Sequence, residues 1–108
     1  MNTAPKINAL LPPPLVVKVR IKEYAEKKWH EKIDELTQPH RCIVAGYLSG
    51  RMGFSDKEIS DLLKISKSTI HRDIGLYEIL LKRTSTAIKE IEKIHEYILY
   101  NAKWLRSY

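Results

Sequence analysis

Apolar positions along this chain recur at three- and four-residue steps, the signature of helices with one buried face, so an all-α fold of about five helices is expected. From Leu15 or Val16 to Leu36 the series Val17, Ile21, Ala25, Trp29, Ile33 and Leu36, with Tyr24 beside it, predicts one long amphipathic helix. Its other face carries Glu23, Lys27 and Glu31 at the spacing of intrahelical charge pairs. Thr37 is a candidate cap and Pro39 is tolerated in a first turn, so a second helix is expected to about Ser49, with Gly50 placed to end it.

The most informative stretch is Phe54 to Arg83, FSDKEISDLLKISKSTIHRDIGLYEILLKR. Ser55 with Glu58 three residues on forms a capping box, flanked by Phe54 and Ile59 as a hydrophobic staple. The device repeats with Ser66 as cap and Ile65 stapled to Ile70, so a short helix, a tight turn and a second helix are predicted. In that second helix Ile70, Ile74, Tyr77 and Leu81 share one stripe, the core face. Opposite it lie Ser68, Arg72 and Gly75, with His71 beside them and Lys67 and Thr69 on the flanks. This is how a helix-turn-helix reader of duplex DNA is built. Ser, His and Arg can bond base edges, while Lys67 and the amides behind Ser66 suit phosphate oxygens. Gly75 would let a backbone approach closely.

Past Gly75 the helix turns apolar on most sides through Leu76, Ile79 and Leu80, and needs a cover. The last segment, Thr84 to about Arg106, offers Ala87, Ile91, Ile94, Ile98, Asn101 and Leu105 as a seam. That seam would fold back on the first helix or pair with a second subunit; Ile91, Ile94, Ile98, Asn101 and Leu105 are the candidate oligomer contacts. Tyr97, Tyr100, Trp104 and Tyr108 lie on an adjoining face, expected to be buried contact surface. The expected organisation is a Pro-rich arm over 1–14, a helix-turn-helix domain over 15–83 with a tri-helical core behind its long first helix, and a packing or oligomerisation helix over 84–108.

Composition narrows the function. A formal charge of +6 and a pI near 9.5 in 108 residues favour a polyanionic partner, since Lys and Arg release counterions condensed on nucleic acid. Asp56 to Asp61 is acidic and Lys64 to Arg72 basic, so the positive field concentrates at the second helix of the motif. A single cysteine, Cys42, excludes an internal disulfide and a multi-cysteine zinc site, and points to a reducing, cytoplasmic setting. Pro12 to Pro14 break the early apolar run before it could serve as a signal peptide, and no window holds the roughly 20 apolar residues of a membrane span. His30, His40, His71 and His95 are scattered, with only His30 and Asp34 near metal spacing, and there is no phosphate loop or nucleophile elbow. A non-enzyme without cofactor or metal is expected.

ISKSTIHRDI, Ile65 to Ile74, resembles the turn and recognition helix of many bacterial regulators, among them the sporulation regulator SpoIIID and the DeoR-type repressors. A wider likeness runs from Arg41 to about Gly75. Arg41, Ala45, Tyr47, Leu48, Ser55, Glu58 and Ile59 are similar to the pattern of the C-terminal DNA-binding domain of the replication initiator DnaA, of the TrpR-like class. The resemblance implies an extra helix, RCIVAGYLSG, ahead of the motif, with Arg41 facing phosphate. The family's Gly-Arg-Asp-His-Thr-Thr signature is replaced by Ser66-Lys67-Ser68-Thr69, one residue shorter, so Thr69 alone is carried over. The expected function is sequence-specific binding of double-stranded DNA by a homodimer, in transcription or replication. The alternatives are a phage terminase small subunit or similar packaging factor, and a protein-interaction module.

Overall fold

Pro14 opens the first helix, where its missing amide hydrogen and preset φ cost nothing. In this computed structural model, which describes residues 11–100, α1 spans Pro14–Tyr24, α2 Gln38–Gly50, α3 Asp56–Leu63, α4 Lys67–Arg83 and α5 Ser85–Tyr100. The fold is all-α, and among the described residues there is no strand. Most of the arm expected over 1–14, together with Asn101, Trp104, Leu105 and Tyr108, lies outside the described residues, as does the side chain of Tyr100.

The long first helix expected to Leu36 is corrected: it ends a dozen residues early. After Tyr24 the backbone widens into one π-helical turn, Ala25–Trp29, and stops at His30, whose φ of 59° is left-handed. Lys32 is extended, Ile33–Glu35 form a 3₁₀ turn, and Leu36 is extended again. Side-chain demands account for the break. The indole Nε1 of Trp29 donates to Glu90 Oε2 at 3.1 Å, beside the Tyr24 hydroxyl on the same oxygen, and the Trp29 ring stacks on His40 at 3.9 Å. The chain then folds back, burying Ile33 and Leu36 where the 3₁₀ turn packs on α3. A straight helix, rising about 1.5 Å per residue, would have carried both away from that contact.

The expected cap of α2 is also corrected. Thr37 sits at the N-cap position without capping; its amide donates to Glu31 Oε1 at 3.0 Å and its hydroxyl approaches Glu31 Oε2 at 3.5 Å. Glu31 thereby joins Thr37 and His40 rather than Lys27. Every residue of α2 from Cys42 to Leu48 is buried, so this helix is the hub of the molecule. It runs through Gly50, and the left-handed glycine of the connection is Gly53, φ 70°.

The motif helices start as their sequence requires. Ser55 Oγ accepts the Glu58 amide at 3.2 Å while Glu58 Oε1 accepts the Ser55 amide at 2.9 Å, and Phe54 and Ile59 are both buried beneath this box. Ser66 Oγ accepts the Thr69 amide at 3.2 Å, with Ile70 fully buried and Ile65 packed on the core. Each cap contributes about 1 kcal/mol. Between them Lys64 takes the left-handed conformation, φ 59°, and makes the turn. α2, α3 and α4 pack mutually as the tri-helical core.

Thr84 alone joins α4 to α5, its hydroxyl bonding back to the Leu80 carbonyl and forward to the Ala87 amide. α5 folds onto α1, α4 and α2 of its own chain, leaving Ile91 2 % exposed and Ile94 and Ile98 not exposed at all. Of the two arrangements open to the seam, the single chain adopts the fold-back: Ile91, Ile94 and Ile98 belong to its own core. The cover this gives α4 is partial, because Ile79 remains 47 % exposed.

One contact of α5 makes stability pH-dependent. The hydroxyl of Tyr47, buried in α2, and Nδ1 of His95 share a hydrogen bond of 2.9 Å. Burial, reinforced by the Arg51 charge, holds the His95 pKa below its ordinary value of 6.5. A depressed folded-state pKa means that the neutral ring stabilises the fold above about pH 6.5, and that this contribution is lost as pH falls through the folded value. Stability measured by denaturant should decline from pH 7 towards 5 more steeply in the parent than in His95→Gln. Identical slopes would show that His95 does not titrate with folding.

Candidate nucleic-acid interface

α4 is amphipathic across its first three turns, and this sets the site. Ile70 is fully buried, and Ile74, Tyr77 and Leu81 pack on the core. On the other side Ser66, Lys67, Ser68, His71, Arg72 and Gly75 are exposed and Thr69 is half-buried, so seven of the expected DNA-contact residues share one open end and face. A Cβ placed on Gly75 would meet nothing within 4 Å, so the backbone there is open to approach.

The hydroxyls at the start of α4 are partly committed. Ser66 Oγ lies 3.1 Å from Ser68 Oγ and 2.9 Å from Thr69 Oγ1 as well as capping the helix. Lys67 and Arg72 supply the charge on this face. His71 is held: its Nε2 lies 2.6 Å from Asp56 Oδ2, across from the first turn of α3, with both side chains well exposed. This contact was not legible in sequence, since fifteen residues separate the partners and an acid in a helix's first turn is already explained by the helix dipole.

Arg41, near the start of α2, is bonded to α4 itself. Its Nε donates to Asp73 Oδ2 at 2.6 Å and its terminal nitrogen to Oδ1 at 3.2 Å, a bidentate clasp from α2 to α4. Asp73 is fully buried, and the Sγ of Cys42 lies 3.5 Å from Oδ1. The hydrogen bond to Asp73 holds the Arg41 pKa above its ordinary value, and burial with the neighbouring Asp73 carboxylate pushes the Cys42 thiol up to about 11. Arg41 is thus directed inwards, correcting its expected place facing phosphate, and Cys42 is a neutral buried donor rather than a plain apolar filler. The one sequence signal for Asp73 was an acid standing beside the core stripe of a basic helix.

A cavity of about 540 Å³ lies elsewhere, between the end of α1 and α5, lined by Tyr24, Trp29, Glu90 and Tyr97 among others, and shares no residue with the α4 face. The two aromatic donors converge on its Glu90 carboxylate and tie the end of α1 and the turn after it to α5. Among the described residues no group of three or more His, Cys, Asp or Glu side chains could hold a metal ion, and no helix is long and apolar enough to cross a membrane. Comparison with protein-family models, curated proteins and solved structures gives no match.

Proposed function

We propose that the chain binds double-stranded DNA by laying the N-terminal half of α4 in the major groove, as a helix-turn-helix protein of transcription or replication resembling the initiator's C-terminal domain. The observation that supports this best is the division of α4. Its apolar stripe packs on the core, while Lys67, Ser68, His71, Arg72 and Gly75 are exposed on the opposite face, His71 leaning on Asp56. Lys67 and Ser66 at the helix start suit phosphate, and Arg72 and His71 suit base edges. His71 must leave Asp56 to do so.

Selection of bound sites from random duplex DNA, followed by salt titration, tests the proposal. Lys67→Ala should weaken binding to all duplexes and lower the salt slope by about one unit, whereas Arg72→Ala should cost roughly 1 to 3 kcal/mol on the selected site and relax preference at one base pair. Gly75→Ala should stabilise the fold by up to about 1 kcal/mol through helix propensity, yet weaken DNA binding by obstructing close approach. Absence of any duplex binding at low salt would defeat the proposal and favour a protein partner for the same face.

A further inference from the structure

We propose that Arg41 is a specificity-determining positioning residue, whose clasp on Asp73 fixes the rotation of α4 and so aims Arg72 and His71, without itself touching DNA. The inference rests on the DNA-binding function proposed above. Asp73 follows His71 and Arg72 directly, and its carboxylate points the other way, into full burial between α4 and α2. Both its oxygens are taken by the planar fork of Arg41, and the Cys42 thiol lies near one of them.

An ion pair on a fully buried carboxylate is a poor source of stability, because desolvation of Asp73 offsets the attraction and an apolar pair of similar volume often does as well. What it supplies is geometry. Two parallel hydrogen bonds from a rigid fork restrict both sliding and rolling of one helix on the other. One turn farther along α4, the ring of Tyr77 lies over the bare Cα of Gly46, so α2 and α4 meet at two fixed points. A roll of α4 by about 20° would move a side chain about 6 Å from its axis by about 2 Å, enough to break a base contact. The fork sets that roll more narrowly than the non-directional packing of Ile70 and Ile74 does alone.

The test compares Arg41→Lys and the apolar pair Arg41→Met with Asp73→Leu against the parent chain. The readout is the ratio of affinities for the selected site and a random duplex, because a lost phosphate contact lowers both together. The ratio should fall at least about tenfold in both variants, the loss of one well-aimed base pairing. In the double variant the α4 amide resonances over 67–77 should broaden or double while the protein stays folded. Arg41→Lys keeps the charge without the fork, and it remains decisive if the double variant does not fold. An unchanged ratio in Arg41→Lys, or a single set of α4 resonances at parent positions in a folded double variant, would overturn the proposal. If the parent prefers no duplex, DNA recognition fails as the function, and the resonances alone still decide whether the clasp sets α4.

Discussion

Gly46→Ala is expected to cost more stability than any other single-methyl change in the core. A Cβ there would lie 2.1 Å from Tyr77 Cγ and 2.2 and 2.5 Å from its two Cδ atoms, against about 3.5 to 4.0 Å for carbons in contact. Rotation about χ2 leaves Cγ in place, and a change of χ1 would pull the ring from its packing on the core, so either Tyr77 gives up its site or α4 withdraws from α2. The gain of about 1 kcal/mol in helix propensity is outweighed by overpacking, which costs about 1 to 3 kcal/mol and more where backbones must shift. A net loss of about 2 kcal/mol would lower the melting temperature of a domain this size by about 10 °C. Tyr77→Ala alone opens a void, and Gly46→Ala in that background should be nearly neutral, giving a coupling energy above about 1 kcal/mol. Parent-like stability of the single variant would mean that the two helices do not meet at Gly46.

The contrast with Gly75 shows what the sequence could and could not convey. Both glycines lie within helices, yet one is covered by an aromatic ring and the other faces open space. Helix periodicity separated the core stripe of α4 from its polar face, and cap chemistry located the starts of α3 and α4, because those signals are local: a serine and the amide three residues on. The four-residue spacing of Val17, Ile21, Ala25, Trp29 and Ile33 was equally plain, and every aliphatic member of it is buried, but spacing does not register a break when the chain resumes in phase after a turn. The signal for that break is distant, in the Glu90 carboxylate that Trp29 and Tyr24 seek.

Partners across the fold account for the other corrections. Thr37 prefers Glu31 to its own helix, His71 leans on Asp56, and Arg41 turns inwards to Asp73. In each case one residue's chemistry was apparent and its partner was not. An arginine near a helix start is as suited to phosphate as to a buried carboxylate, and only the packing of α2 on α4 selects between them. The charge excess and the exposed polar face of α4 carry the functional proposal, and those were legible because they belong to a single helix.

The seam of α5 poses the same question at larger scale, and a substitution there should answer it. Ile94 and Ile98 have no exposure within the single chain, so Ile94→Glu with Ile98→Glu should unfold the protein rather than separate subunits. Truncating one buried isoleucine to alanine costs about 2 to 5 kcal/mol, and an unpaired carboxylate in its place costs more, against a total stability of about 5 to 15 kcal/mol. Loss of helical circular dichroism at 25 °C is the expected result. Ile88→Glu, on the same helix at 47 % exposure, should leave the fold intact, because its side chain already meets water. Sedimentation of the parent and of Ile88→Glu then shows whether the partly exposed Ile88 contributes to self-association. Should the Ile94 and Ile98 variant instead remain helical and convert a parent dimer to monomers, α5 would belong between subunits, and its packing on α1 and α4 would have to be redrawn as an exchange between two chains.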